Sequence, residues 1–536
     1  MIGFPATVFD NYHFDDTIFL SNLGWRVYSG GVPTVDFPDF LGGLTAQFVA
    51  WAMMIFGPTV KAVEYAMILQ MAILVALVGV VSWRRIDPAG AGMLALLVTT
   101  LILTRAPLEM SMGLTETHSA HSFLYNRYGT CIALILGVYA MCPTVDRRLD
   151  FAVGVLGGIA AYSLSLAKPT FFVFAPAYFL ALLVMGRGAA LLGSLAGLGI
   201  ALIFIDPGAS RFVAAFRYAG EQMSGRIDTL EIFRKMIRQM TSHSASLIVA
   251  LATIVTGFFL AGVRFVRPAL AISILCGGGL VLTATMGWMS LLGHQLVPFI
   301  LIVPFYIFLS VRVDNLMVRT VALLAPFGVI LPHAANTFAS TLHVMEYSEF
   351  SLFDEGPFQN YVAYDYSFLD TVDEDGDQSD AAIRALALND LARFVTEAES
   401  QGNVIENRAG PMEEIRNSVK YVVFAEGYNE LQEIPGIEDL GIITNTRVFD
   451  FAFAFGATPV WSYPPFPEKG SPEIRSSAPF GEEVDVVAMA VSSIGDLTED
   501  LTRRMGDDFE LCRASQNWDI YTRRSADVPG CNEIAG

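Results

Sequence analysis

Long apolar runs fill the first two thirds of the sequence and limit what it can fold into. The hydrocarbon core of a bilayer needs about 20 apolar residues per helical crossing, and these runs are too many and too long for a soluble core. The chain is 53% hydrophobic and 16% charged, whereas a soluble domain carries about 25% charged residues. We therefore predict a mainly α polytopic membrane protein with about ten crossings, at 63–83, 90–104, 128–142, 151–167, 170–186, 188–205, 245–263, 269–288, 296–311 and 317–336.

Charge divides the chain into two parts. Residues 345–536 hold 37 of its 53 acidic residues but 13 of its 33 basic residues, and the whole chain has a net charge of -20. This acidic balance argues against binding to the phosphates of nucleic acids. We predict two domains: a membrane domain at 1–344, and an acidic, soluble, extracytoplasmic α/β domain at 345–536, called the tail below.

Arginines in the short loops predict the orientation in the membrane. Cytoplasmic loops are enriched in Lys and Arg, which places the N-terminus and the tail outside. An outer N-terminus requires either a start upstream of Met1 or a short crossing at 44–57. The upstream start is favoured because these 14 residues barely span a bilayer, and 44–57 is predicted to be an interfacial helix. The arginines of the predicted inner loops are Arg84, Arg85, Arg147, Arg148, Arg187, Arg264, Arg267 and Arg312.

The predicted outer segment 10–43 is rich in carboxylates. Asp15 and Asp16 stand near its start, and Asp36 and Asp39 near its end. A Gly-Gly pair and a proline between them favour turns that could bring the two acidic groups together. A carboxylate beside another carboxylate has a raised proton affinity, which suits general-base catalysis. The alternative is that these residues cap helices and solvate an outer loop.

Two further outer segments carry polar and basic residues. In 105–127, the spacing His118-x-x-His121 could ligate zinc, but no third ligand is evident, so binding of a polar substrate or phosphate is favoured, with helix capping as the alternative. In 206–244, basic residues run against the orientation bias, which favours phosphate recognition or contact with anionic head groups. The polar positions in these segments and at other outer turns are Glu109, Glu116, His118, His121, Asn126, Arg127, Lys168, Arg211, Arg217, His294 and Gln295.

The segment DDTIFLSNLGWRVYSGGVPTVDFPDFLGGL resembles the first outer loop of the GT-C superfamily, multi-pass glycosyltransferases that take a sugar from a polyprenyl-phosphate carrier. Members carry an acidic pair and then a G-x-P-x-x-D-F-like stretch before an interfacial helix. YNRYG at 125–129, Lys168-Pro169 and HQLVPF at 294–299 extend the resemblance over about 1–340. The sequence departs in showing no first membrane helix and in having Asp-Asp where Asp-Glu is commoner. The matching first-loop positions are Asp15, Asp16, Gly31, Pro33, Asp36 and Phe37.

The resemblance implies an inverting sugar transfer at the outer face of a bacterial inner membrane, with the tail in the periplasm. Asp15 or Asp16 would deprotonate a hydroxyl of a lipid, glycan or protein acceptor, and positive groups would stabilise the leaving lipid phosphate. Some members use a divalent metal in this loop, and the sequence leaves metal use open; no other cofactor is expected. The residues assigned to the leaving phosphate are Arg127, Lys168, Arg211 and Arg217. The remaining positions assigned to substrate binding are Asp36, Asp39, Glu109, Glu116, His118, His121, Asn126, His294 and Gln295.

The tail alternates strand-like and helix-like segments, which predicts a small α/β domain on the outer face. The acidic run 372–380 matches an EF-hand loop only in part, so a solvated acidic loop is favoured over a calcium site. Cys512 and Cys531 are the tail's two cysteines, and a disulfide is permitted outside the cytoplasm. The predicted buried strands are 419–427, 449–455 and 484–491, and the predicted helices are 381–400 and 498–506.

Two other classes of function stay open. A transporter of lipid-linked substrates would place ionisable groups near mid-membrane, on broken helices in repeated halves, and the sequence shows no internal repeat. A non-catalytic membrane scaffold would use the acidic tail to bind partners. A scaffold descended from an enzyme would also keep the outer carboxylates.

Overall fold

Apolar helices form the first part of the chain, and a small sheet lies in the tail. The computed structural model describes residues 8–9, 14–37, 39, 41–103, 124–223, 266–289, 303–312, 319–320, 322, 353, 356–359, 361–362, 417–445, 451–461, 463, 479–490, 496–515, 517–526, 528 and 531. The helices of the first part are α1 (Phe14–Tyr28), α2 (Leu44–Phe56), α3 (Ala62–Ser82), α4 (Pro88–Leu103), α5 (Leu124–Met141), α6 (Arg147–Ala167), α7 (Phe174–Val184), α8 (Gly188–Ile200), α9 (Ser210–Met223), α10 (Val266–Met289) and α11 (Val303–Arg312).

Most of the predicted crossings are helices in the structure. A 3-10 helix (Pro169–Val173) leads into α7, and α8 continues as a π-helical turn to Ile205. Among the described residues, α3, α6 and the continuous run Gly188–Ile205 are long and apolar enough to cross a bilayer, and shorter apolar helices stand beside them. Large apolar side chains such as Ile73, Leu183 and Phe204 are exposed on these helices, as lipid contact requires. The predicted crossing 245–263 and most of 317–336 lie outside the described residues.

The predicted interfacial segment 44–57 is helix α2. Its first part is buried, whereas Trp51, Met54, Ile55 and Phe56 are exposed near its end. Exposed aromatic and aliphatic side chains at a helix end fit the boundary between head groups and acyl chains. Its position at that boundary stays a prediction.

The two ends of the helix bundle differ in character. At one end, called the basic end, Arg85 follows α3 and Arg187 precedes α8, and both reach Asp150 at the start of α6. At the other end, called the tail end, the amide of Val60 before α3 donates to the carbonyl of Pro357 at 2.9 Å. The first outer segment and the tail therefore lie together, opposite the arginines of the short loops.

A buried ion cluster holds the basic end together. Arg85 Nη2 lies 3.2 Å from Asp150 Oδ1, Arg187 Nε lies 3.3 Å from Oδ2, and a second Arg187 nitrogen also pairs with this carboxylate. Both guanidinium groups stand over the ring of Tyr139, at 5.1 and 4.4 Å from its centroid. The Tyr139 hydroxyl donates to the backbone carbonyl of Asp150 at 2.6 Å. The carboxylate of Asp150 thus joins α6 to the loop after α3 and to the loop before α8, and the ring of Tyr139 adds α5 to the cluster.

Glycines let α6 and α8 touch backbone to backbone. A Cβ atom at Gly158 would lie 2.0 Å from the carbonyl oxygen of Ser194, and one at Gly197 would lie 1.9 Å from that of Val155. Real Cβ atoms never approach so closely, so only glycine fits. Small residues at a helix interface are how membrane helices pack when lipid removes the hydrophobic drive between them.

The structure describes six strands: β1 (Val8–Phe9), β2 (Tyr361–Val362), β3 (Ile442–Thr444), β4 (Val486–Ala490), β5 (Phe509–Ala514) and β6 (Trp518–Arg523). β1, from the first part of the chain, pairs in parallel with β2 of the tail. The other four strands form a sheet in the tail with the order β3-β4-β6-β5. β3 pairs with β4 in parallel, and β6 runs antiparallel to both β4 and β5. The tail's helices are α12 (Asn417–Gln432), α13 (Ala452–Phe455) and α14 (Asp496–Met505).

Two predicted strands of the tail are wrong. Residues 419–427 lie within α12, and 449–455 contain the short helix α13. A short apolar run cannot be assigned by periodicity alone; over a longer window, Tyr421, Phe424, Tyr428 and Leu431 are buried at helical spacing. The strand predicted at 484–491 and the helix at 498–506 are confirmed as β4 and α14, and 381–400 lies outside the described residues.

The predicted bond between Cys512 and Cys531 is confirmed, because the two cysteines form a disulfide. It ties β5 to the chain that follows β6. Phe353, Phe358 and Tyr361 of the tail share one hydrophobic core with the membrane helices. The predicted domain boundary at 344/345 lies outside the described residues and stays a prediction.

Replacing Asp150 by Asn should strongly destabilise the protein. The variant keeps the shape of the side chain but leaves two buried guanidinium groups facing a neutral amide, and breaking a buried ion pair on one side costs about 3–5 kcal/mol. Denaturant unfolding in detergent micelles, compared with wild type, measures the effect.

The matched control is Asp87→Asn. Asp87 pairs with Arg319 at 2.7 Å, but the Arg319 side chain is 47% exposed, and exposed pairs contribute about 0–1 kcal/mol. Asp87 also accepts from the amide of Gly90 at 2.7 Å, a hydrogen bond that Asn can keep. Equal, small losses in both variants would contradict a buried cluster.

Candidate functional site

The first outer segment begins as a helix and not as a loop. Asp15 and Asp16 lie in the first turn of α1, and Asp16 is half-buried and engaged by its surroundings. The turn that follows α1 packs on its last turn, where the Arg26 guanidinium lies 5.7 Å from the ring centroid of Phe37. At about 1.5 Å per helical residue, Asp16 lies about 15 Å along the axis from Arg26. The turns therefore place Asp36 and Asp39 near the far end of α1 from the acidic pair. The expectation that the turns bring the two acidic groups together is wrong, because the residues between them form a helix and not a compact loop.

Asp36 and Asp39 have different surroundings. Asp36 is exposed, and its Oδ2 accepts from the amide of Val32 at 2.7 Å, which closes the turn. Asp39 is buried, and its Oδ1 accepts from the amide of Leu41 at 2.7 Å. No donor among the described residues forms a hydrogen bond with its Oδ2. Burial raises the pKa of Asp39 to about 6, although the amides of Leu41 and Gly43 oppose the rise.

The chain after Asp39 lies against the end of α6. A Cβ atom at Gly42 would lie 2.7 Å from the carbonyl oxygen of Ser165 and 2.9 Å from that of Leu166. Gly42 has φ of +88°, a conformation that favours glycine. This close approach brings the turn of Asp39 beside the start of the Lys168-Pro169 hairpin. Two segments more than 120 positions apart in the sequence thus meet at the tail end.

Lys168 supplies a buried cation at this place. Its side chain is 4% exposed, and its ammonium lies 5.1 Å from the ring centroid of Tyr125, at the start of α5. Arg127, also on the first turn of α5, is fully buried and engaged by neighbours. The turn that holds Asp39, the Lys168 hairpin and the start of α5 therefore meet at the tail end.

Uncharged polar side chains are buried near these charged groups. Both amide atoms of Asn126 and the hydroxyls of Thr130 and Thr170 have no hydrogen-bond partner within the described ranges. Thr130 follows Asn126 by one turn of α5. Thr170 is next to Phe171, and the ring of Phe171 lies against Gly129 of the same helix, so Thr170 is also close to α5. Leaving such a group unsatisfied costs about 1–3 kcal/mol. Groups of this kind suit a ligand rich in hydroxyls.

Helix α9 brings further arginines near this region. Phe212 of α9 packs against Phe172 of the 3-10 helix, with ring centroids 5.0 Å apart. Arg211 is half-buried at the start of α9, and Arg217 is exposed and engaged by a neighbour. The structure thus places the basic helix next to the Lys168 hairpin.

Asp206 precedes this helix, and both oxygens of its carboxylate accept hydrogen bonds. It accepts from the hydroxyls of Tyr162 at 2.5 Å and Ser210 at 3.0 Å, and from the amides of Arg211 at 2.9 Å and Phe212 at 3.0 Å. Burial alone would raise its pKa, but these hydrogen bonds hold the pKa below its usual value. Asp206 is therefore a helix cap that also ties α9 to α6, unlike Asp39.

Several predicted site residues lie outside the described part of the chain: Glu109, Glu116, His118, His121, His294 and Gln295. Within the part that the structure describes, no three His, Cys, Asp or Glu side chains come together as metal ligands. The spacing His118-x-x-His121, for which zinc was the less favoured interpretation, lies outside these residues, and use of a divalent metal in the first loop stays open.

Sequence reasoning missed several buried polar residues. Gln70 is fully buried on α3, and its amide atoms have no partner among the described residues. Thr130 and Thr170 were not singled out either, and Tyr125 entered only as part of the motif at 125–129. A glutamine inside an apolar crossing is itself a signal, because polar groups are costly in the bilayer. The threonines gave no such signal, since their importance comes from burial.

Comparison with known proteins gives one structural similarity. No protein-family model and no curated protein sequence matches this chain. The crystal structure of ArnT from Cupriavidus metallidurans bound to undecaprenyl phosphate aligns with 97% of this chain and 95% of its own, at 10% identity and a TM-score of 0.41. A TM-score this low transfers no residue and no reaction, so the site is judged on its own contacts.

The pKa of Asp39 predicts a pH-dependent stability. The folded protein holds the Asp39 proton more tightly than the unfolded chain, so this stabilisation is complete below about pH 4 and is lost as the pH rises through about 6. The loss is at most about 3 kcal/mol, at about 1.36 kcal/mol per pKa unit. Asp39→Asn cannot ionise, so its Tm should rise relative to wild type between pH 4 and pH 7.

Asp206→Asn provides a control of opposite sign. Because the pKa of Asp206 is lowered, its ionised form stabilises the fold above about pH 4, and the variant should lose most relative to wild type near neutral pH. A Tm difference for Asp39→Asn that does not change with pH would contradict the burial of this carboxyl group.

Proposed function

We propose that this protein is a membrane glycosyltransferase that moves a sugar from a polyprenyl-phosphate carrier to a hydroxyl of a lipid, glycan or protein acceptor. The observation that carries the proposal is the convergence, at one end of the helix bundle, of the Asp39 turn on the end of α6 and of buried Lys168 over Tyr125. A membrane helix bundle with buried charges at one boundary suits a substrate that has a lipid chain and a polar head group.

The buried cations would bind the phosphate of the carrier. Lys168 and Arg127 stand at the tail end, where a phosphate anchored by its prenyl chain would meet them, and charge-assisted hydrogen bonds to phosphate are about twice as strong as neutral ones. As a sugar–phosphate bond breaks, negative charge grows on the phosphate, and a fixed cation stabilises that growth. Arg211 and Arg217 of α9 would extend this positive surface.

The uncharged polar groups would bind the sugar. Amides and hydroxyls such as those of Asn126, Thr130 and Thr170 can donate to and accept from sugar hydroxyls. Because these groups are buried without partners in the described ranges, a bound sugar would satisfy them and remove their cost. The described uncharged groups fit a neutral, hydroxyl-rich sugar.

The chemistry needs one base and no covalent intermediate. Asp15 or Asp16 would accept the proton of the acceptor hydroxyl, and the acceptor oxygen would bond to the anomeric carbon. The bond between that carbon and the phosphate oxygen would break, and the electron pair would leave with the lipid phosphate, giving inversion. Asp39 lies near the far end of α1 from Asp15 and Asp16, so it and the acidic pair are alternative bases and not partners. Its place beside the Lys168 hairpin and its raised pKa suit a base near neutral pH.

The reaction would take place on the outer face of a bacterial inner membrane. The short-loop arginines gather at the basic end, which suits the cytoplasmic side. The tail lies at the opposite end and contains a disulfide, as exported domains do. The site, the first outer segment and the tail would then all face the periplasm.

Variants of the acidic pair test the reaction. Asp15→Asn, Asp16→Asn and the double variant remove proton acceptance while nearly keeping the shape of each side chain. Loss of the true base should reduce turnover by about 10²–10⁴-fold. Transfer of radiolabelled hexose from polyprenyl-phosphate hexose to acceptors in native membranes, at equal protein abundance, measures it. Asp39→Asn is assayed beside them.

The outcomes separate the residues from the reaction. Near-normal transfer by the Asp15/Asp16 double variant, with loss in Asp39→Asn, would move the base to Asp39. Normal transfer by all the variants would remove these carboxylates from the mechanism. Wild-type membranes that transfer no sugar from any polyprenyl-phosphate pentose or hexose would overturn the proposed function.

Lys168 is tested separately through binding. Lys168→Met removes one charge-assisted hydrogen bond to phosphate, worth about 1.5–3 kcal/mol, so kcat/KM should fall by about 10–100-fold, with partial recovery in Lys168→Arg. Arg147→Met removes an exposed cation at the basic end and should leave kcat/KM unchanged. Equal effects of the two Met variants would mean that Lys168 acts only through the overall charge.

A further inference from the structure

Residues 451–461 of the tail lie directly against α1. The indole Nε1 of Trp25 donates to the carbonyl of Ala457 at 2.8 Å. The Arg26 guanidinium donates to the carbonyl of Val460 at 3.0 Å. Both donors are in the last turn of α1, and both acceptors are backbone atoms of the tail. Hydrogen bonds of this kind fix the tail segment in register along the helix.

Trp461 continues this contact onto the turn after α1. A Cβ atom at Gly31 would lie 2.3 Å from the indole ring of Trp461, so the ring rests directly on this glycine and a larger residue there would displace it. The same ring stacks on Phe37, with centroids 6.2 Å apart. The guanidinium of Arg26 also stands by the Phe37 ring, at 5.7 Å from its centroid. The turn is therefore held between α1 and Trp461.

The neighbours of Trp461 are anchored in the tail's own core. Val460 and Tyr463 are buried with Val487 of β4 in a hydrophobic cluster of the tail. The Tyr463 hydroxyl donates to the carbonyl of Thr444 on β3 at 2.7 Å. Since the residues on both sides of Trp461 are fixed to the sheet, its ring is presented to the turn by a rigid support.

The other end of the turn is fixed to the membrane helices. Phe37 precedes Asp39 by two positions, and Gly42 lies against Ser165 and Leu166 at the end of α6. Asp39 therefore lies between two anchors, one in the tail and one in the membrane domain. Removing either anchor would free the turn that holds this carboxylate beside the Lys168 hairpin.

We propose that Trp461 is a positioning residue, through which the tail holds the Gly31–Gly43 turn, and with it Asp39, in place for the reaction. This inference rests on the proposed function for its effect on turnover, but the ordering of the turn can be measured without any substrate. It gives the acidic tail a role that needs no catalytic residue of its own. A misplacement of about 1 Å at an active site can cost about 10²-fold in rate.

The first experiment is hydrogen exchange on the full-length protein in detergent micelles. In Trp461→Ala, amides of residues 32–43 should exchange at least about tenfold faster than in wild type, whereas Trp461→Phe should keep most of the protection, because stacking on Phe37 survives. Amides of β4 report whether the tail stays folded. Leu511→Ala, which removes an exposed apolar side chain of β5, is the control and should leave the turn unchanged.

The second experiment uses the fit between Gly31 and Trp461. Gly31→Ala places a methyl group into the indole ring and should speed exchange of the turn in the wild-type background. The same change should add little in the Trp461→Ala background, because the ring it would strike is gone. A smaller effect of Gly31→Ala in the Trp461→Ala background than in the wild-type background indicates direct contact between the two residues.

Sugar transfer supplies the third readout. Trp461→Ala should lower kcat by about 10–100-fold with a smaller change in KM, and Trp461→Phe should restore most of it. Unchanged exchange of residues 32–43 in Trp461→Ala would overturn the inference whatever the enzyme does. Faster exchange with unchanged transfer would equally overturn positioning. If wild type transfers no sugar, the proposed function is overturned. The contact between Trp461 and the Gly31–Gly43 turn is then judged from hydrogen exchange alone.

Discussion

The bilayer core offers no water to hydrogen-bond, so each polar group placed there must find its partner inside the protein. The two ends of this bundle respond to that constraint differently. At the basic end, Asp150 is bonded by Arg85 and Arg187, and both cations also face one aromatic ring. At the tail end, Asn126 and Asp39 keep polar atoms that no described neighbour satisfies. The difference lies in the charged groups: the buried carboxylate of the basic end is paired with two cations, whereas Asp39 Oδ2 at the tail end has no described donor.

Much of the membrane part can be predicted from sequence because the length of a crossing is a local property. An apolar run of about 20 residues identifies a crossing without knowledge of its neighbours, and α3, α6 and α8 confirm such runs. The candidate site is harder to predict, because its contacts join residues that are far apart in the sequence. Lys168 could be singled out because a lysine between two crossings is costly, but the burial of Asp39 depends on Gly42 meeting α6, a contact that no nearby sequence reveals. The strand predicted at 419–427 failed because a helix and a buried strand share short apolar runs.

Charge composition divides the chain at residue 344, but hydrogen bonds and a ring contact join residues on the two sides of this boundary. The tail reaches the first outer segment through backbone carbonyls and one indole ring, which carry no charge signal and so cannot be seen in composition. The acidic residues that define the tail in sequence are thus not the groups that join it to the membrane helices. The charge of this part distinguishes it in the sequence, whereas its aromatic residues and backbone carbonyls make the contacts that attach it.

The contact between α6 and α8 has a mechanical consequence. Glycines bring the two backbones together, Asp150 and Arg187 join them at the basic end, and Asp206 after α8 bonds Tyr162 of α6 near the tail end. A pair fixed at both ends and flush along its length cannot slide, twist or part without breaking several contacts at once. We therefore expect any rearrangement of this bundle to occur between other elements and to leave α6 and α8 in register.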